Sequence, residues 1–130
     1  MVGRRRALGG GESILMAACW HHAVSSSKVF GGTPEDFLDI HLWFDEPKNH
    51  LGDFRSRALR HHTMGIAEAI DLFGESRELS TGKVIPVRLV CERHMMEDFG
   101  RIPSVQDWLS CLQPEPWMSL HARKLSKELG

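Results

Sequence analysis

The sequence predicts a mainly α fold, a single-domain helical bundle with a short β-hairpin, and three observations carry that expectation. Helix start signals recur at Thr33-Pro34-x-Asp36 and at Ser104-x-x-Asp107. Apolar residues from Leu51 to Phe73 fall at helical spacing. The turn-forming run Ser80-Thr81-Gly82-Lys83 precedes a β-branched stretch too short for anything larger than a hairpin.

The elements follow in order. Residues 1–15, with Arg4, Arg5 and Arg6 beside Gly9, Gly10 and Gly11, carry little to bury and are expected to form a disordered tail or an upstream extension. Residues 16–130 form the expected single helical domain, with Met16 as the natural start. A first helix is expected from Ala17 to Phe30, stopped by Gly31 and Gly32. The second begins with Thr33 as N-cap and Pro34 as first helical residue, and continues through Phe37, Leu38, Ile40 and Trp43 or Phe44. Asp45 is the expected cap of a third, long helix running from about Glu46 to Phe73, with Pro47 in its first turn and Gly74 at its end.

At 100° per residue, that third helix carries His62 inside its apolar stripe and His61 on the edge, in line with His50, Arg57 and Glu68. Gly65 sits on the same face, where it permits close approach of another backbone or a ligand. Beyond it come the hairpin, which Pro86 confines to an edge, a fourth helix around Leu89 to Phe99, a fifth from Ser104, and a last amphipathic one bearing Trp117, Leu120, Leu125 and Leu129. Together these give four to six helices around one core.

Composition narrows the function classes. The chain of 130 residues is 42% hydrophobic and 25% charged, enough for one core. Its 16 basic and 17 acidic residues leave a net charge of -1, so no global field attracts nucleic acid or an anionic membrane. Cys19, Cys91 and Cys111 form neither a paired C-x-x-C nor an even disulfide framework, and a cytoplasmic setting is the default expectation. No apolar run approaches the roughly 20 residues that span a bilayer.

Histidine and aspartate carry the chemistry. His41 and Asp45 are four apart at the end of the second helix, and His94 and Asp98 repeat that spacing in the fourth, so each pair shares a face. With His61 and His62 they make a nitrogen and oxygen ligand set suited to a divalent transition metal: zinc, manganese, iron or nickel. Cys91, three before His94, adds a soft donor on that face, and His21 or His22 either completes the cluster or pairs with a backbone carbonyl. The competing expectation is a structural network, in which a carboxylate orients a histidine and Asp45 simply caps a helix. His50 and His121 read as surface residues. Ser25, Ser26 and Ser27 lack a nucleophile motif, and the Walker spacing is absent around Lys83.

Two functions follow from the residues. One is a metal-binding protein, extended to a metal-dependent hydrolase if a coordination position stays open for water. The other is a non-enzymatic interaction protein whose histidines form a structural network, in which Trp117, Met118 and the terminal helix meet a protein partner or a second copy.

The segments His-His-Ala-x-Ser-Ser at 21 to 26, Phe-Gly-Gly-x-Pro-Glu-Asp at 30 to 36, Ile-His-x-Trp-Phe-Asp at 40 to 45, Asp-Phe-Arg-x-Arg-Ala-Leu-Arg-His-His at 53 to 62 and Glu-x-His-x-x-x-Asp at 92 to 98 resemble a family of small bacterial and phage proteins of unknown function. The likeness runs from about Trp20 to Trp117, with Pro47 where a small polar residue is expected. It implies kinship without an activity to transfer, and for the non-enzymatic reading it implies a phage or host interaction protein. A more distant similarity of layout is with HD-type phosphohydrolases, all-helical enzymes whose metal ligands are a His, a His-Asp pair and a later Asp. His41, His61-His62 and Asp98 follow that order, but His-His replaces His-Asp and removes the bridging carboxylate.

Overall fold

A computed structural model describes residues 10–119, with side chains from Ile14 onward. Helix α1 (Gly10–Phe30) starts earlier than the expected Ala17, because Leu15, Cys19 and Ala23 continue its buried row at spacing of four. Gly10–Leu15 therefore belong to the helix and not to a tail, and residues 1–9 lie outside the described residues. At its other end Gly31 and Gly32 take φ of 90° and 74°, a conformation that L side chains rarely adopt, so the helix stops there.

Thr33 and Pro34 open a single 3-10 turn (Pro34–Asp36) before helix α2 (Leu38–Asp45). Asp36 closes that turn by accepting from Thr33 N at 2.9 Å, and it also accepts from the Ser80 hydroxyl at 2.8 Å. One carboxylate thus ties the entry of α2 to the distant hairpin.

The long third helix does not form. Its span divides into a 3-10 turn (Glu46–Asn49), a second one (Phe54–Leu59) and helix α3 (Thr63–Phe73). Two extended residues make the breaks. Asp53 (φ -122°, ψ -178°) accepts from Arg55 N, and His62 (φ -163°, ψ 174°) accepts from Gly65 N, so each ends one segment by capping the next. Asp45 closes α2 and makes no side-chain capping bond to the turn after it, contrary to its expected role.

Strands β1 (Ser76–Glu78) and β2 (Val84–Pro86) pair antiparallel with Arg77 opposite Ile85, and Pro86 ends the second strand. Helix α4 (Val87–Phe99) follows directly and closes on Gly100 at φ 70°. Helix α5 (Val105–Leu109) begins with reciprocal bonds: Asp107 N donates to Ser104 Oγ, and Ser104 N donates to Asp107 Oδ2. Of the expected last helix, Pro116–Met118 forms a 3-10 turn, while Leu120, Leu125 and Leu129 lie outside the described residues.

Helices α1 and α2 pack together, as do α3 and α4. Phe37, Ile40 and Phe44 of the α2 segment, Ile66 and Ala69 of α3, and Val87, Val90 and Met95 of α4 form the core. Each large apolar side chain buried there contributes about 1.5–3 kcal/mol. Beside that core lie four fully buried histidines, His41, His61, His62 and His94, and the cost of burying such polar groups demands partners. Among the described residues no helix is long and apolar enough to cross a membrane.

Candidate metal centre

Three pieces of backbone deliver the buried polar groups. Helix α2 carries His41 and Asp45 one turn apart, and α4 carries His94 and Asp98 likewise. The break before α3 turns His61 inward and assigns His62 to the helix start. Trp108 Nε1 on α5 donates to the His61 carbonyl oxygen at 2.9 Å, and Thr63 N donates to Pro103 O at 2.9 Å, which hold this break in place.

Four side-chain atoms converge on one point: Asp45 Oδ1, His61 Nε2, His94 Nε2 and Asp98 Oδ2. His61 Nε2 lies 3.0 Å from Asp45 Oδ1 and 3.3 Å from Asp98 Oδ2. His94 Nε2 lies 3.4 Å and 3.2 Å from the same two oxygens. The two imidazole nitrogens are 3.2 Å apart. The imidazoles are buried, with 1% and 0% of their side chains exposed, whereas Asp45 and Asp98 keep 10% and 11%.

His41 lies one layer out. Its Nδ1 meets His94 Nδ1 at 2.8 Å, and its Nε2 meets Ser26 Oγ at 2.8 Å. Burial, with the charges of His94 and His22 beside it, pushes its pKa down to about 2, so His41 is a neutral ring.

The outer carboxylate oxygens also have partners. Cys19 Sγ donates to Asp45 Oδ2 at 3.3 Å, and His22 Nε2 stands 3.2 Å from Asp98 Oδ1. Burial opposes charge on both aspartates, but the close imidazoles of His61 and His94, joined by His22 at Asp98, outweigh it and hold both carboxyls far below the usual range. Burial, reinforced by the charge of Asp45, pushes the Cys19 thiol well up. His22 Nδ1 is 2.9 Å from Glu97 Oε1; burial works against its charge, and the bonds to Asp98 and Glu97 prevail, raising its pKa to about 9.

Of the six residues read from the sequence, the structure therefore brings four to the converging point, holds His41 one layer behind His94, and leaves His62 out. His62 is buried but spends Nδ1 on the Gly65 N–H at 2.9 Å, because its backbone is extended and its ring folds over the first turn of α3. Cys91 is a core residue, its thiol pushed up to about 12 mainly by burial, and it is not among the converging atoms. His21 and His50 are exposed, and His121 lies outside the described residues. His22, given little weight among the sequence features, shares the layer around the centre with Ser26 and Cys19. Its spacing of four from Ser26 on α1 was the one available signal.

A second group, His22, His41 and His94, also brings ring nitrogens within 4.8 Å of one another. Both nitrogens of His22 and both of His41 already have partners, so this group is a bonded layer around the first one.

No curated protein and no solved structure matches the chain. A family model, described as a domain of unknown function (DUF6915), matches residues 17–118, a span that holds every residue of the centre. With that match covering most of its 130 residues, the chain belongs to the DUF6915 family.

Proposed function

We propose that this protein binds one divalent transition metal ion between Asp45, His61, His94 and Asp98. The observation that carries the reading is the set of five separations, 3.0–3.4 Å, among the four converging atoms. Ligands about 2.0–2.1 Å from a tetrahedral zinc ion stand about 3.3–3.4 Å from each other. Two carboxylates also balance the charge of a divalent ion in a site where burial makes net charge costly.

A purely hydrogen-bonded network accounts less well for the arrangement. Two imidazole nitrogens facing each other at 3.2 Å, with both aimed at the same two oxygens, cannot all be satisfied pairwise. A cation at the centre takes a lone pair from each. Two nitrogens and two oxygens at these separations favour zinc over manganese, iron and nickel, which take higher coordination more readily. Such an ion would join α2, the break before α3, and α4, and so stabilise the packing of all three.

The test is elemental analysis of protein purified without chelator, beside a variant with His61→Ala and His94→Ala together. About one equivalent of metal in the parent, lost in a variant that keeps its circular dichroism, supports the reading. A parent that takes up none of the four metals after reloading overturns it and leaves the histidines as a structural network.

Metal-dependent hydrolysis is the second reading: Asp45 and Asp98 keep 10% and 11% of their side chains exposed, although Asp98 Oδ2 itself is buried. Water would have to enter as a fifth ligand beside these four side chains, and there it would ionise near pH 7. Turnover of phosphate or carboxylate esters by the zinc-loaded protein, abolished by His94→Ala, is the expected result; zinc-loaded protein inert across such a panel refutes it.

A further inference from the structure

Helix α1 contributes none of the four converging atoms, yet two of its side chains end on groups that do, and a third reaches one through His41. Cys19, His22 and Ser26 stand at spacings of three and four along one helical face. Cys19 Sγ reaches Asp45 Oδ2 at 3.3 Å, and His22 Nε2 reaches Asp98 Oδ1 at 3.2 Å. Ser26 Oγ reaches His41 Nε2 at 2.8 Å, and His41 in turn meets His94 Nδ1 at 2.8 Å. The contacts of Cys19, His22 and His41 each fall on the ligand atom turned away from the centre, and Ser26 braces His41 from behind.

We propose that this face of α1 is a template of positioning residues, in which Cys19, His22 and Ser26 hold three of the four ligands in the orientation the metal needs. The inference rests on the metal-binding reading. Its physical content is directional. A metal takes the Nε2 lone pair of His94, so the proton of that ring sits on Nδ1 and donates to His41 Nδ1. His41 must then carry its own proton on Nε2, where Ser26 Oγ accepts it. The three groups form a chain with one consistent hydrogen-bond direction, which fixes two tautomers at once.

The carboxylates are constrained in the same way. Cys19 occupies the outer oxygen of Asp45 and His22 that of Asp98, which leaves each with one oxygen for the metal. A carboxylate with both oxygens free is able to bind in bidentate fashion, which suits the larger shells of calcium-like ions. One oxygen from each, with two imidazoles, gives four-coordination. His22 is held in turn by Glu97 Oε1 at 2.9 Å on its other nitrogen. His61 is the exception: its Nδ1 is buried without a hydrogen-bond partner, and its ring packs edge-on against Phe44 and Phe99.

The experiment measures zinc affinity by chelator competition and the visible absorption of the cobalt(II)-substituted protein, whose intensity separates four-coordinate from six-coordinate ions. His22→Leu, Cys19→Ala and Ser26→Ala are each expected to lower zinc affinity roughly 10–100-fold and to weaken the cobalt band. His22→Gln, which keeps a donor near the Nε2 position, should recover most of both, a rescue that mere filling of space would not produce. If His22→Leu does not fold, the two single-atom deletions at Cys19 and Ser26 carry the test. Folded variants with parental affinity and an unchanged cobalt spectrum, in a parent that binds one equivalent, overturn the template while leaving the metal site standing. A parent that binds no metal overturns both.

Discussion

Replacing Gly65 by alanine should destabilise the protein, although the same change at an open helix position stabilises. A Cβ at position 65 would stand 1.8 Å from the Arg60 carbonyl oxygen and 2.6 Å from its carbon. Ordinary carbon–oxygen contacts begin at about 3.3 Å, so the start of α3 and the Arg60 peptide must part by about 1.5 Å. That movement pulls Gly65 N away from His62 Nδ1, a capping bond worth about 1 kcal/mol. Forcing backbone apart in a packed region costs about 1–3 kcal/mol, against about 1 kcal/mol gained in helix propensity. The net is about 2 kcal/mol, or a fall of about 8 °C in melting temperature for a chain of this size. Because His61 lies between Arg60 and His62, zinc affinity should fall as well. The control is Gly52→Ala, where no atom lies within 4 Å and φ is not positive, and its melting temperature should hold or rise. A Gly65→Ala protein melting at or above the parent, by differential scanning calorimetry, would refute the close approach on which the placement of His61 depends.

His62→Ala should cost roughly 1 kcal/mol in denaturant unfolding yet retain the metal content of the parent, and His62→Asn, which keeps an acceptor near Nδ1, should recover the loss. Metal disappearing from folded His62→Ala protein would return His62 to the ligand set. Zinc at 100 times its dissociation constant should raise the stability of the parent by about 2.7 kcal/mol and leave His94→Ala unmoved, readable as a thermal shift. Asp36 is held below the usual carboxylate range by the Thr33 N–H first, and then by Ser80. Its folded pKa is depressed, so its contribution is present above the unfolded value of about 4 and fades as pH falls through the folded one. Asp36→Asn should lower the melting temperature at neutral pH and flatten its decline in acid; an unchanged acid profile would argue against the bond to Ser80.

Local signals in the sequence predicted local structure well. Gly31, Gly74 and Gly100 stop helices as expected, and Ser104 with Asp107 caps α5, because those effects act over one turn of chain. The break at Arg60–His62 was not legible. Nothing near it is a proline, and Gly65 reads as a helix interior, whereas the break is stabilised from outside by Trp108 and Pro103. Counting 100° per residue through that break put His62 inward and His61 at the edge, and the extended backbone of His62 makes His61 the inward donor. Spacing also tells which face a residue takes and not how deep it reaches. His41 and Asp45 share a face of α2, but the ring of His41 stops against His94 while Asp45 reaches the centre. His22 was hardest to read, since its partners Glu97 and Asp98 are 75 and 76 residues away.

The pairing of His41 with His94 joins chain positions separated by 53 residues, which has a consequence for the protein during its own synthesis. At about 5–20 residues per second, a ribosome needs roughly 3–10 s to pass from one to the other. For most of that interval Cys19, His22, His41 and Asp45 have been made, while α4, with two of the four proposed ligands, has not. Unfolded cysteines and histidines attract metals of their own accord. An ion captured then would sit on residues that the finished fold assigns to orientation, so correct loading waits until α4 has been made and packed.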